Sequence, residues 1–317
     1  MKKLYVFFLL LFNVHTVFLM EVKHQHTSLS FKQVGEVQSA CFNKDDTELL
    51  ILIKTKNNFI VSTFKNDELA TEIEIDRNCF KGIASYNASE NKIIIQHLFS
   101  NKVSVVDRKS HEISEYLLPE DGEFVCFNKT ETELLMRLPY AKCVLMQDIN
   151  TNKVLFSASY SDPFVAACLN ENETEIATVT CNGRLHIWDK KTAKELLTEG
   201  YGFCGITEKS VSFCPQAQQL LIYGASPLVW LQDRYMSKNV AKTFRHPATV
   251  MCARRNGDRI CTMACDQKIR IWDIKNKEII KTIPLESLWI NSLEWSSDGT
   301  KIVAGFGTTV AIWSCED

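Results

Sequence analysis

The sequence lacks a surplus of either charge. Its 36 Lys and Arg are nearly balanced by 38 Asp and Glu, which leaves a net charge of −2. Nucleic acids and anionic membranes attract strongly basic domains, so we expect neither as a partner. Glycine and proline are also scarce, with 12 and 7 in 317 residues, while 45% of the residues are hydrophobic and 23% are charged. This composition is typical of a folded globular chain and excludes wholesale disorder or a fibrous structure.

Catalytic and metal-binding motifs are also missing. The 12 cysteines include no CxxC pair and have no His cluster beside them, so zinc and dithiol redox sites have no support. The sequence contains no nucleophile elbow, no glycine-rich phosphate loop and no HExxH motif. We therefore expect no enzymatic activity, no cofactor and no metal ion. Several cysteines, such as Cys143 and Cys168, stand inside apolar runs, which predicts small buried free thiols.

One phrase recurs along the chain: an apolar strand, a polar turn and a second apolar strand. It reads CFNKDDTELLI from Cys41, CFNKTETELLM from Cys126 and CLNENETEIAT from Cys168. The last strand residues before the turns are Phe42, Tyr86, Phe127, Leu169, Phe213, Ala253 and Trp295. Seven copies at a spacing of about 42 residues indicate a repeat architecture.

Each copy continues with two more strands. After the second strand comes a short polar loop and an apolar run that often ends in an acidic residue, such as RLHIWD from Arg184. A fourth strand follows, such as KVLFSAS from Lys153. No stretch shows a sustained helical period, which excludes an α/β fold. Four short strands in each of seven copies predict an all-β fold, a seven-bladed β-propeller whose blades bury their apolar faces against each other.

The third-strand runs RLHIWD at Arg184 and KIRIWD at Lys268 carry the dipeptide that gives the WD-repeat family its name. With the Asp-Gly turn at Asp298 and the repeat period, residues 27–317 resemble a WD-repeat (WD40-type) β-propeller. The first three copies and the fifth lack the dipeptide and are assigned by period. In that family a repeat can contain a hydrogen-bonded set of His, Ser or Thr, Asp and Trp. The resemblance assigns a complete structural tetrad to His246, Thr262, Asp266 and Trp272, and a partial one to Thr178 and Trp188.

The seventh copy stops after its third strand. A blade without its outer strand would leave an exposed edge that invites aggregation. WD-repeat propellers commonly close their ring with an N-terminal strand, and the segment Ser28 to Val34 has the length to supply it. We therefore expect Ser28 to Val34 to pair with the third strand of blade 7 near Val310 to Trp313. The propeller domain is then predicted to span residues 27–317, with residues 1–26 as an N-terminal extension.

The N-terminal extension has more than one interpretation. Lys2 and Lys3 precede the apolar run Leu4 to Phe12, as in a secretory signal peptide, but polar residues interrupt the run and no usual cleavage site follows. If residues 1–19 are a signal peptide, the protein is secreted; if residues 4–20 act as an uncleaved anchor, it is held at a membrane. Otherwise we expect a cytoplasmic protein. Asn-x-Ser/Thr triplets stand at Asn87, Asn128 and Asn172. They are frequent by chance and do not decide the question.

The resemblance implies a rigid, non-catalytic platform for other proteins or peptides, acting as a monomer or as a subunit of a complex. Contacts in this family are made mostly by loops around one rim of the ring, and exposed aromatic rings and Arg are typical anchors. The candidate rim residues are Tyr140, Tyr160, Arg184, Tyr201, Phe203, Lys268 and Trp289. Trp289 is the strongest of them because it stands directly before a first strand.

Two alternative functions remain open. WD-repeat substrate receptors of cullin-type ubiquitin ligases often carry WDxR at the end of a third strand. Both matching sites here end in Lys, at Lys191 and Lys275, and Lys cannot reproduce the forked bonding of Arg. A secreted or surface propeller that binds an extracellular ligand would follow if the N-terminal run is a signal peptide.

Overall fold

The computed structural model describes residues 28–32, 35–65, 68–76, 81–98, 100–202, 211–214, 218–285 and 290–315. Within these residues, 28 strands form seven antiparallel sheets of four strands each. Each sheet is one blade of a ring, and each blade contacts the preceding blade through its own first strand. The seven-bladed all-β propeller predicted from the repeat period is confirmed. In the part of the chain described, no helix is long and apolar enough to cross a membrane.

The blades follow the order of the chain. Blade 1 contains β2 (Glu36–Phe42), β3 (Glu48–Lys54), β4 (Asn58–Lys65) and β5 (Glu68–Asp76), and blade 2 contains β6 (Lys81–Tyr86), β7 (Lys92–Leu98), β8 (Lys102–Asp107) and β9 (Ile113–Leu117). Blade 3 contains β10 (Glu123–Phe127), β11 (Glu133–Leu138), β12 (Cys143–Asp148) and β13 (Val154–Ser159), and blade 4 contains β14 (Phe164–Leu169), β15 (Glu175–Thr180), β16 (Arg184–Asp189) and β17 (Glu195–Gly200). Blade 5 contains β18 (Val211–Cys214), β19 (Gln219–Tyr223), β20 (Leu228–Asp233) and β21 (Lys242–Arg245), with a short 3-10 helix at Lys238–Val240 between the last two. Blade 6 contains β22 (Val250–Asn256), β23 (Arg259–Ala264), β24 (Lys268–Asp273) and β25 (Glu278–Pro284). Blade 7 contains β26 (Ser292–Trp295), β27 (Lys301–Phe306), β28 (Thr309–Ser314) and β1 (Ser28–Lys32).

The second strand of a blade is apolar at successive positions because both of its faces are buried. In β3, Leu49, Ile51 and Ile53 pack with residues of blade 7 such as Val303. Leu50 and Leu52 point to the other face and pack with residues of blade 2. A sheet that is apolar on both faces cannot stand alone, so each blade depends on two neighbours.

The ring is closed by the N-terminal strand. β1 runs antiparallel to β28 with Ser28 opposite Trp313 and Lys32 opposite Thr309. The pairing predicted for Ser28 onward is confirmed through Lys32, while residues 33 and 34 lie outside the described residues. Blade 7 therefore combines the first strand and the last three strands of the chain.

Asparagine side chains build the turn between the first and second strands in four blades. They are Asn43, Asn87, Asn128 and Asn170. Each side-chain oxygen accepts a hydrogen bond from the backbone N–H five residues later, at 2.9 to 3.0 Å. The Asn87 amide also donates to Ser89 Oγ, and the Asn128 amide donates to Thr130 Oγ1, both at 2.9 Å. These bonds hold the turn in the way that favours Asn at such positions.

An acidic residue in these same turns reaches the preceding blade. Asp46, Glu90, Glu131 and Glu173 have φ values between 57° and 59°. The Asp46 carboxylate accepts from the backbone N–H groups of Ser297 (2.6 Å) and Asp298 (2.9 Å) in blade 7. Glu90 and Glu173 accept in the same way from the turns of blades 1 and 3. A non-glycine residue in this left-handed region costs about 1–2 kcal/mol, and the bonds between blades offset this cost.

The cysteines that the structure describes are all free thiols. Cys143, Cys214, Cys261 and Cys315 are buried, whereas Cys168 is half-buried and Cys265 is exposed. Burial raises the pKa of the Cys168 thiol to about 12. A thiol protonated in this way is a poor nucleophile.

Candidate functional site

The tryptophans of the two predicted polar sets each donate a hydrogen bond to a buried threonine. Trp272 Nε1 lies 2.9 Å from Thr262 Oγ1 in blade 6. Trp188 Nε1 lies 3.0 Å from Thr178 Oγ1 in blade 4. Both threonine side chains are inaccessible to solvent, so each bond satisfies groups that would be costly to bury alone.

The other two members of the blade 6 set, His246 and Asp266, do not form the hydrogen bonds that the resemblance implies. Asp266 binds Arg270 rather than His246: Arg270 Nη1 donates to Asp266 Oδ1 at 3.0 Å, and Nη2 donates to Oδ2. The guanidinium fork matches a carboxylate with two parallel bonds, which a single imidazole cannot do. His246 packs edge-on against Trp272, with ring centroids 4.9 Å apart. Neither of its ring nitrogens has a hydrogen-bond partner among the described residues.

Burial has a large effect on His246. Its side chain is 3% exposed, and burial, helped by the nearby Arg270 charge, lowers its pKa from 6.5 to about 4. His97 in blade 2 is buried in a similar way, and its pKa is also lowered to about 4. Both rings are therefore neutral in the folded protein at neutral pH.

The free energy of unfolding should consequently rise with pH between about 4 and 6.5, because the unfolded chain binds protons on these histidines in that window and the folded chain does not. Replacing His246 with Phe removes one of these groups. The rise in the free energy of unfolding across this pH range should then be smaller by on the order of 2–3 kcal/mol. Urea unfolding across this pH range measures the effect. The exposed His111→Asn variant is the control and should keep the wild-type profile. An unchanged profile in His246→Phe would contradict the expectation.

Among the described residues of the predicted rim, the most exposed aromatic ring is that of Tyr140. It stands in the turn between β11 and β12, and 90% of the residue is accessible to solvent. Lys142, two residues later, is also exposed and its Nζ donates to the carbonyl of Ser161 at 2.7 Å. This bond joins the blade 3 turn to the loop between blades 3 and 4.

Tyr160 and Arg184 lie beside this loop. The Arg184 guanidinium carbon is 5.9 Å from the centroid of the Tyr160 ring, within the range of a cation–π contact. The Tyr160 ring also contacts the ring of buried His186, with centroids 4.4 Å apart. Tyr140, Lys142, Tyr160 and Arg184 thus form one continuous surface, called here the blade 3–4 patch.

The remaining predicted rim residues do not join this patch. Tyr201 is 7% exposed and its ring packs against Trp230, 5.2 Å away, so it belongs to the core and its assignment as an exposed anchor is wrong. Lys268 is exposed at the first position of β24, the position that Arg184 has in β16. Phe203 and Trp289 lie outside the described residues.

A charged pair in the central channel was missed by the sequence reasoning. Arg254 Nε donates to both oxygens of Glu294 at 2.9 Å, and Arg254 Nη1 donates to Tyr223 OH at 3.2 Å. A channel cavity of about 690 Å³ is lined by all three residues. The signal was a change of residue type between copies. Two positions before the turn residue, blade 7 has Glu294 where blades 1, 3 and 4 have Cys41, Cys126 and Cys168.

No group of three or more metal-ligating side chains comes together among the described residues. The rim and the channel both offer surface for recognition. Within the described ranges, the Trp and Thr of each buried pair satisfy each other's hydrogen-bonding groups, and both pairs are inaccessible to a ligand.

The family model described as "WD domain, G-beta repeat" matches residues 277–314, which include β25 and the last three strands of the chain. Two curated relatives share the name "Serine-threonine kinase receptor-associated protein". The one from Gallus gallus is 27% identical over 154 residues, and the one from Mus musculus is 24% identical over 150 residues. Each match covers 47% of this chain and 42% of the relative, so less than half of each relative's length is matched.

Proposed function

We propose that the chain is a member of the WD-repeat β-propeller family and works as a non-catalytic platform on which other proteins or peptides assemble. The observation that carries this proposal is the Tyr140 ring, 90% exposed on a turn that rigid strands hold on both sides. A large amphipathic ring in such a place is typical of an interface anchor. The relatives' name describes association with a kinase receptor, and a partner-binding role here is consistent with it.

The proposed partner-binding rim centres on the blade 3–4 patch and extends to Lys268 and Trp289. The proposed domain is residues 27–317. We also place the protein in the cytoplasm, because buried free thiols such as Cys143, Cys214 and Cys261 suit a reducing compartment. Cell fractionation with detection of the intact N-terminus tests this location.

Tyr140→Ala should weaken partner binding by about 2 kcal/mol or more, roughly thirtyfold, because the ring is proposed as an anchor. The melting temperature should stay close to that of the wild type, since an exposed side chain contributes little to the core. The measurement is capture of partners from native cells, quantified by mass spectrometry, together with thermal melting.

Val154→Ala is the matched control for this test. Val154 is 49% exposed at the start of the outer strand β13, at the opposite end of the blade from the turn that carries Tyr140, so its truncation should leave both the partners and the melting temperature unchanged. Trp289→Ala tests the wider rim in the same assay. Full retention of partners in both Tyr140→Ala and Trp289→Ala would contradict a rim platform.

A further inference from the structure

The guanidinium of Arg184 contacts an aromatic ring but has no polar partner among the described residues. It stacks on Tyr160, and no ion pair or hydrogen bond links it to any of the residues that the structure describes. The hydrogen bonds of Arg184 within its hairpin are made by its backbone, for example from its N–H to Thr180 Oγ1 at 3.2 Å. Because the ring restrains the side chain, the planar fork can bind an incoming group with little further ordering.

Two lysines bind backbone groups next to Tyr160 and opposite Arg184. Lys142 is fixed by its bond to the Ser161 carbonyl, next to Tyr160. Lys238 of blade 5 donates to the carbonyl of Gly200, the residue that pairs with Arg184 across the strands. Three cations are thus gathered on one region of a chain whose net charge is −2.

Of the carboxylates near this region, that of Asp162 is already engaged in hydrogen bonds. Asp162 accepts from Asn182 Nδ2 at 2.8 Å and from Ser161 Oγ at 3.3 Å. Glu199 lies close enough to Tyr201 for its charge to add to burial in raising the pKa of that phenol. Among the described residues, neither carboxylate forms an ion pair with Arg184, whose guanidinium contacts the Tyr160 ring.

From these observations we infer that the blade 3–4 patch docks an acidic linear segment of a partner protein. A side-chain carboxylate of that segment binds the Arg184 fork with two parallel bonds, as Arg and carboxylate commonly do. Lys142 and Lys238 attract neighbouring acidic residues, and the exposed ring of Tyr140 covers an apolar side chain of the same segment. This specificity rests on the proposed function and adds the chemistry of the partner to it.

Selection from a phage library of random linear peptides against the purified full chain tests the inference. The enriched peptides should be rich in Asp and Glu and contain a large apolar residue. Fluorescence anisotropy measures the affinity of a synthetic copy of one such peptide. Arg184→Ala should bind this peptide about tenfold or more weakly than the wild type does. Arg184→Lys keeps the charge and loses the fork, so it should lose affinity by an intermediate factor.

Arg245→Ala is the matched control. Arg245 is an exposed arginine at the end of the outer strand of blade 5, and its removal should leave the peptide affinity unchanged. Enriched peptides without acidic residues, no enrichment at all, or equal binding by wild type and Arg184→Ala would each overturn the inference. Binding only when a phosphoserine replaces a Glu of the peptide would also overturn it, in favour of a phosphopeptide. Partner capture that depends on Tyr140 but not on Arg184 would leave the platform standing and reject its acidic specificity.

Discussion

A chain that begins at Gly35 should be far less stable than one that begins at Thr27, because it lacks β1. Five residues of β1 pair with β28, and no other described strand covers that edge of blade 7. With a net value of about 0.5–1.5 kcal/mol for each backbone hydrogen bond, the loss is on the order of 3–5 kcal/mol. That is a large share of the 5–15 kcal/mol or so by which a folded protein is usually stable. The exposed edge should also promote aggregation.

Differential scanning calorimetry and size-exclusion chromatography of the two chains measure this effect. A third chain that begins at Met1 is the control for the N-terminal extension, and its propeller should unfold as that of the chain beginning at Thr27. If the chain that begins at Gly35 remained monomeric and had the same melting temperature as the chain that begins at Thr27, β1 would not be needed to close the ring.

Asp266→Ala should be the most damaging single substitution on the blade 6 loop. The side chain of its partner Arg270 is only 6% exposed, so the substitution leaves a buried guanidinium without its carboxylate. Leaving a buried polar group without its partner costs about 1–3 kcal/mol, and more where that group is charged. Hydrogen bonds from Arg270 also hold the pKa of Asp266 below 3.8, so this contribution is complete above that pH and is lost as the pH falls through the lowered pKa.

The double variant Asp266→Ala with Arg270→Met separates the ion pair from a general effect on the loop. Met removes the stranded charge and fills a similar volume, so the double variant should recover most of the stability in urea unfolding. Glu278→Ala removes an exposed acidic side chain from the same blade and should change the stability by less than about 0.5 kcal/mol. A double variant no more stable than Asp266→Ala would show that the pairing with Arg270 is not the reason.

The architecture could be predicted from the sequence because the same strand pattern occurs in seven copies. Each copy repeats the same strand–turn–strand phrase, and one missing strand in the last copy left a single place for Ser28 and the residues after it. The burial of residues such as Leu50 and Ile51 follows from the same repetition, since a blade between two neighbours has no exposed face.

Individual side-chain partners were harder to predict. The resemblance predicts that Asp266 accepts a hydrogen bond from His246. Arg270, four residues later, binds the Asp266 carboxylate instead, because its guanidinium matches a carboxylate better than an imidazole does. Tyr201 follows an outer strand, as an exposed rim residue would, yet its ring turns inward onto Trp230. The order of residues in a loop gives their position along the rim but not the direction of each side chain, which depends on the packing of the neighbouring blade.

The asparagine turns also explain why two Asn-x-Ser/Thr triplets occur in this chain. Asn87 and Asn128 donate to the hydroxyl group two residues later, so the turn itself selects Asn followed by Ser or Thr at the spacing recognised for N-linked sugars. Both side chains are nearly inaccessible, at 5% and 7% exposure, and a folded blade offers neither nitrogen to a glycosyltransferase. Asn172 is exposed. A sugar on this protein would therefore mark Asn172, or a chain that was modified before its blades had formed.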